Sequence, residues 1–336
     1  MRDAFEVFIN YKIDTKYTTA EMIAGFADRL LRTGGERNSA MSLDEQLERI
    51  VDLFSFISDK DMFADIFRGQ LAKRLLNERS ASDDAERGII SKLKLRCGAQ
   101  YTAKMEGMIR DLSISLEQKR LVRQLPVDVS VQVLTTGFWP NYRAIRVTLP
   151  PLMASARDLF MKYYRSKNTH KKISWAYALG TALVRGNFAR SYDFQVHTLQ
   201  AVALLAINEA PGQRLSFKGL QESTGMEEDV LKRVCHSLSC AKYKVVTPDD
   251  VFEPNTSFSC QLLRVRIPMA SLEESQTHEK VEEDRTYAIE ACIVSATALS
   301  PDNENPEVIK RRIEHLIERD YLERADEDPN LYKYVA

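Results

Sequence analysis

Val127-Asp128-Val129-Ser130-Val131-Gln132-Val133-Leu134-Thr135-Thr136-Gly137-Phe138-Trp139-Pro140 is where the chain changes its period. Four valines alternate with polar residues, the pattern of a strand with one face buried. Gly137 and Pro140 then mark a turn. Upstream, the apolar residues recur instead at steps of three and four. Thr18 and Glu21 have capping-box spacing ahead of Met22, Ile23, Phe26, Leu30 and Leu31, and Gly34-Gly35 ends that helix. Ser42 and Glu45 repeat the box before Leu43, Leu47, Ile50, Phe54 and Ile57. Ser58 to Asp61 restarts the chain into Met62, Phe63, Ile66, Phe67, Leu71 and Leu75. Asp83 with Glu86 opens a helix bearing Ile89, Ile90 and Leu93, and 102–113 forms one more. Successive amphipathic helices with short polar connections predict a helical bundle.

Downstream the signals are mixed. Residues 145–149 are β-rich, a helix is expected at about 151–165, and 173–178 and 182–185 read as strands separated by Gly180. Three short helices are expected over 195–209, 215–223 and 226–239. Strand candidates at 243–246 and 262–267 follow, which is the winged-helix order of three helices and a hairpin. The pattern returns near the end. Pro306 leads Val308, Ile309, Ile313, Leu316 and Ile317, and a wing is predicted from Tyr321-Leu322, a turn at Asp328-Pro329-Asn330, and 331–335. The fold class is therefore mainly α with a smaller α/β part: a helical bundle, a mixed α/β domain and two winged-helix modules.

Composition narrows the function. With 44% hydrophobic and 28% charged residues, neither a disordered nor a membrane class is favoured. No apolar run approaches the roughly 20 residues a bilayer span needs. Five scattered cysteines suit reduced thiols, hence a cytoplasmic or nuclear setting. There is no Gly-rich phosphate loop and no Gly-x-Ser-x-Gly elbow, so no cofactor and no catalytic residue is assigned. Cys235, His236 and Cys240 fall on one predicted helix with the cysteines on different sides, a poor start for tetrahedral zinc, so no metal is assigned. His170, His197, His278 and His315 stand alone. Nor do the winged-helix candidates look like readers of DNA. Lys310, Arg311, Arg312, Arg319 and Arg324 are balanced by Glu307, Glu314, Glu318, Asp320 and Glu323. In 226–239, Glu227, Glu228 and Asp229 face Lys232 and Arg233. Phosphate contacts require a positive balance these helices lack, so no nucleic acid is expected.

Several blocks, in order, resemble the cullin family. Lys60-Asp61-Met62-Phe63 through Leu71-Ala72-Lys73-Arg74-Leu75-Leu76 is similar to the family's signature. So are Ser80-Ala81-Ser82-Asp83-Asp84-Ala85-Glu86, Ile90-Ser91-Lys92-Leu93-Lys94, Cys97-Gly98 and 101–108. Val131 to Pro140, Glu282-Glu283-Asp284-Arg285, and Asp320-Tyr321-Leu322-Glu323-Arg324 with Tyr334-Val335-Ala336 continue the likeness. The resemblance implies these domains: 1–35 as the end of a helical stalk, 36–126 as the bundle, and 127–192 as the α/β domain with one further bundle helix. Two winged helices would follow at 193–270 and 274–336, the second truncated.

It also implies a non-catalytic scaffold of a ubiquitin ligase, binding a RING-type zinc protein and, through it, a ubiquitin-conjugating enzyme. In the family the α/β domain takes a strand of the RING subunit into its sheet. By that analogy Val131, Val133, Trp175, Tyr177, Leu183 and Val184 are the candidate binding residues. Two other readings stay open: a winged-helix scaffold of the proteasome-lid or initiation-factor sort, and a DNA-binding winged-helix protein. The run Ser82 to Glu86 leans toward the class using Skp-type adaptors, the SCF type, although adaptor binding is not expected without the long stalk. Where the family carries a lysine that receives a ubiquitin-like modifier, this sequence has Ile293-Val294-Ser295-Ala296-Thr297-Ala298. Ala298 has no amine, so no modification is expected there. The interval 299–305 reads as a loop in place of a second helix. The last module should then be weakly packed, and amide exchange at 306–319 should be faster than in 60–76; equal protection would refute this.

Overall fold

The computed structural model describes residues 2–11, 18–34, 41–119, 128–240, 242–247 and 251–269, together with 281, 285, 310, 313–314, 317, 322–324 and 332–334. The chain divides into two compact units. One comprises 1–113, 133–140 and 275–336, and the other 114–132 and 141–274. The expected helical part followed by a smaller α/β part is observed. Ala298 and 299–305 lie outside the described residues, as does Val127.

The first unit is built from α1 (Arg2–Asn10), α2 (Thr19–Leu31), α3 (Leu43–Phe54), α4 (Lys60–Leu76), α5 (Asp83–Cys97) and the start of α6 (Ala99–Lys119). Both expected capping boxes form. Glu21 N donates to Thr18 Oγ1 at 3.2 Å and Thr18 N to Glu21 at 2.7 Å. Ser42 and Glu45 repeat this at 3.3 and 2.9 Å. The face of α2 differs from its apolar stripe. Ala20, Ala24, Ala27, Leu30 and Leu31 are buried, whereas Met22 and Phe26 are 48% and 39% exposed. Alanines let α2 approach α4 closely, and larger side chains are turned outward.

The start of α5 also departs from expectation. Its cap is Ser82, whose Oγ accepts from Asp84 N at 3.1 Å. Glu86 is unavailable because it receives Arg74 through both oxygens, Nε–Oε1 at 2.7 Å and Nη2–Oε2 at 2.9 Å. Arg74, 1% exposed, also donates to Asp28 Oδ1 at 2.7 Å, and its guanidinium lies 5.3 Å over the Phe67 ring. Asp28 is shared with Arg32, and Ser80 Oγ donates to Glu86 at 2.5 Å. One buried cation thus joins α2, α4 and α5. Around it Phe54, Phe63, Phe67, Leu71, Ile89, Ile90 and Leu93 close the core.

Residues 133–140 are tied to this unit by the Asp111 carboxylate. Asp111 accepts from Thr135 N at 2.7 Å, Thr135 Oγ1 at 3.0 Å and Trp139 Nε1 at 2.8 Å. Gly107 leaves room for the Phe138 ring, which a Cβ would strike. Arg285 binds Asp61 bidentately, both bonds at 2.7 Å, and Asp59 at 2.9 Å. Leu322–Arg324 (β6) pairs antiparallel with Tyr332–Tyr334 (β7), where the terminal wing was expected.

The second unit carries α7 (Pro151–Lys167), then a hairpin of β1 (Thr181–Asn187) and β2 (Ser191–His197). It continues through α8 (Thr198–Glu209), β3 (Leu215–Ser216), α9 (Phe217–Thr224), α10 (Glu228–Ser239), β4 (Val251–Phe252) and β5 (Arg264–Arg266). Ser216 caps α9, and Gly225 at φ +64° ends it in the left-handed region. Tyr192, Phe194 and Val196 on β2 share one core with Leu199, Val202, Val230, Leu231, Val234 and Val265.

Two strand expectations are corrected. Residues 262–267 do not pair with 243–246: β5 runs parallel to β2, while Val246 bridges Pro254 and β3 pairs β4. The second concerns 129–133, 145–149 and 173–178, which lie outside any strand, although burial alternates along the first two and along 173–177. For 145–149 the cause is visible. Thr148 N donates to Thr224 O at 2.7 Å, so this backbone bonds to the end of α9. Alternation records burial, whereas a strand also needs a ladder partner.

Replacing Arg74 by Ala leaves two carboxylates buried without their cation. A loss of about 3–5 kcal/mol is expected in the first unit's urea transition.

Candidate functional site

The three-stranded sheet has the order β1-β2-β5, so β1 is an edge. Which of its backbone groups face outward follows from the phase of the ladder. Thr198 N donates to Gly180 O at 2.9 Å and Phe188 N to Arg190 O at 3.2 Å. These two bonds fix 180/198 and 188/190 as hydrogen-bonded pairs at either end of the hairpin, whose register between them is unbroken. Antiparallel pairs alternate, so Ala182, Val184 and Gly186 bond to β2. Thr181, Leu183, Arg185 and Asn187 therefore turn their N–H and C=O to the open side. On β2, Asp193 N donates to Leu263 O at 2.8 Å and Gln195 O receives Ile267 N at 3.0 Å, which agrees with this phase. Among the described residues nothing pairs with the four outward positions of β1.

The hairpin is fitted tightly at two glycines. A Cβ at Gly186 would strike the rings of Phe194 and Phe188, and one at Gly180 would strike Thr198 Oγ1. Ala182 and Val184 pack on the core, while Leu183 on the opposite face is 56% exposed. Just before β1, Trp175 stacks on Tyr177 at 6.3 Å and 7°, with its edge toward Phe160 at 5.8 Å. Trp175 Nε1 is buried with no hydrogen-bond partner among the described residues. An unsatisfied buried donor costs about 1–3 kcal/mol. The Arg157 guanidinium stands above its ordinary pKa because it bonds Tyr177 and then Asp158. At the far end of β2, His197 Nδ1 is also buried with no partner among the described residues. Burial, then the charge of Arg266, lowers the pKa of His197.

Of the six residues expected to form a site, Trp175 and Tyr177 come together, and Leu183 and Val184 occupy opposite faces of β1. Val131 falls in the second unit and Val133 in the first, each half-buried and outside any strand. Residue-level reading missed Phe160, Gly180, Gly186 and His197, whose roles depend on contacts distant in sequence. The candidate metal cluster separates: Cys235 is buried, its thiol pushed up to about 11 by burial, and Cys240 is exposed.

Comparison with known proteins gives two family matches, a cullin alpha solenoid domain over residues 1–119 and a cullin alpha+beta domain over 133–262. The chain is 37% identical over 378 residues to Cullin-1 of Oryza sativa subsp. japonica, covering all of this chain and 50% of that protein. Mouse Cullin-4A is 36% identical over 379 residues, again all of this chain and 49% of the relative. Cullin-3 of Dictyostelium discoideum is 34% identical over 411 residues, with 53% of the relative covered. The chain spans about half the length of the curated relatives it matches.

The buried imidazole has a testable consequence. Because its folded pKa lies below the unfolded value of about 6.5, the unfolded chain binds the proton more readily. Its contribution to stability is full above about pH 6.5 and is lost as pH falls from there toward the folded value. His197→Gln should therefore show a smaller drop in melting temperature between about pH 7 and about pH 5 than the native chain.

Proposed function

The chain belongs to the cullin family, and on that premise we propose that it is a non-catalytic scaffold subunit of a ubiquitin ligase, working in the cytoplasm or nucleus. Its open β1 edge receives an extended segment of a zinc-bearing RING protein, which in turn docks a ubiquitin-conjugating enzyme. The observation that carries this reading is the row of outward amides and carbonyls at Thr181, Leu183, Arg185 and Asn187. Strand addition satisfies such a row directly, and side-chain pockets then select the partner. One further feature supports it: burial alternates along 129–133, 145–149 and 173–177 as it does along half-buried strands.

No acid or base is required of such a scaffold. Ubiquitin transfer is accelerated by holding a loaded enzyme near its target, an effect of proximity. We read α8, α9 and α10 with β3 and β4 as a winged helix that packs against β2 and has no role in binding nucleic acid. The SCF-type class remains part of this proposal and rests on the likeness of the run Ser82 to Glu86 alone. With Ala298 at the family's lysine position, we propose that no modifier is attached there.

Co-expression with RING subunits followed by size exclusion tests the reading. Leu183→Pro removes an outward N–H without touching the β1–β2 bonds, since proline is tolerated at edges. It should melt near the native temperature and hold the RING protein at least about tenfold more weakly. Val184→Pro instead breaks a ladder bond and should destabilise the hairpin. Undiminished RING retention by a folded Leu183→Pro chain, and equally by Arg185→Pro, would refute the edge as the binding site.

A further inference from the structure

Between Asp158 and Asp193 the sequence contains no Asp or Glu, yet it contains seven Lys or Arg. The chain as a whole balances 47 basic against 48 acidic residues, so this stretch is a local exception. Lys162, Arg165, Lys167, Lys171, Lys172 and Arg190 are all exposed, and among the described residues none makes an ion pair. Only Arg185 has a carboxylate partner, Asp193 at 3.2 Å. The negative end of α7 accounts for Arg165 and Lys167 in its last turn. It does not account for Lys171, Lys172 and Arg190, which lie beyond the helix.

The run is continuous with the open edge. Residues 168–180 lead from the end of α7 through Trp175 into β1, and Arg190 sits in the turn that closes the hairpin. We propose that these cations are a landing surface for an acidic polypeptide segment contiguous with the strand that completes the β1 ladder. This deepens the reading of β1 given above and rests on it. Unpaired surface cations act at a distance of about a Debye length, raising encounter rates for an anionic partner and orienting it before backbone bonds form.

A nucleic acid would be attracted by the same charge, but two observations favour a polypeptide. Outward N–H and C=O groups in alternation are complementary to a peptide backbone and have no counterpart in a sugar–phosphate chain. The aromatic residues of the stretch are turned inward, with Trp175 stacked on Tyr177 and set edge-on to Phe160 and its indole nitrogen buried, so they are not free to stack on bases.

The test uses the full chain and a fluorescent oligoglutamate peptide, read by anisotropy. Binding should weaken about tenfold from low to physiological salt. It should weaken at least about fivefold in the double substitution Lys171→Glu and Lys172→Glu, through loss and reversal of charge. Lys232→Glu on α10, where the lysine is paired with Glu228, should leave it unchanged. In rapid mixing with a RING subunit, the double substitution should slow association and leave dissociation near its native rate. Oligoglutamate binding indifferent to the double substitution, an unchanged RING association rate, or tighter binding of oligothymidylate than of oligoglutamate would each overturn the proposal. Leu183→Pro separates the two readings. If it spares RING retention, the edge reading fails; if it abolishes retention while the charge reversal does nothing, only the acidic-segment proposal fails.

Discussion

An antiparallel ladder uses the backbone of every second residue, and the second unit is organised by which half of β1 it uses. The bonds at 180/198 and 188/190 commit the even positions to β2, so the odd positions are left facing out. β2 has a neighbour on each side, β1 along its whole length and β5 over Asp193 to Gln195. Helix α8 starts directly from its end and packs beneath. The consequence is a sheet anchored along β2 and unfinished along β1. Sliding the register by one residue would turn Ala182 and Val184 out of the core, which is why the open groups are held at fixed positions.

The first unit is held by a different device. Arg74 would be expelled from an apolar interior if its charge were unmatched. Burial alone lowers its pKa, but hydrogen bonds and charge from Glu86, then Asp28, more than offset this and hold it above the ordinary value. Three helices are thereby fixed to one atom group with directional bonds, where apolar contact alone would permit sliding. Asp111 performs the same kind of service at α6, gathering three donors from 135 and 139. Both clusters fix neighbouring elements with directional bonds, and on the scaffold reading proposed above such fixing is what the chain contributes to proximity.

Much of this was legible from local pattern. Helix starts at Thr18 and Ser42 were readable because a capping box is contained in four residues. The terminal pair β6–β7 was readable because its turn residues mark it. What could not be read is whatever depends on a partner distant in sequence. Val129, Val131 and Val133 carry the period of a strand, but a period says nothing of the neighbour that makes a ladder. The stripe through Met22 and Phe26 pointed to the larger apolar side chains, whereas close approach of α2 to α4 selected the alanines. Glu86 looked like a capping residue until Arg74, twelve positions earlier, claimed it. At the candidate site, Trp175, Tyr177, Leu183 and Val184 were identified through family likeness, and Phe160, Gly180 and Gly186 only through contacts.

An unfinished edge is also a hazard, since two copies could complete each other. The cations around β1 bear on this. Arg185 stands on the strand itself, Lys171 and Lys172 on its approach and Arg190 at its turn, so a second β1 would meet like charge at both ends. The same residues that discourage self-pairing favour an acidic partner, so selection against one complex and for another arises from one distribution of charge. β5, the opposite edge of the sheet, is protected more simply: it is three residues long, and Arg264 and Arg266 flank its single buried valine. On the reading proposed above β1 is the edge that receives a partner, because it is longer than β5 and among the described residues its four outward positions keep unpaired backbone groups.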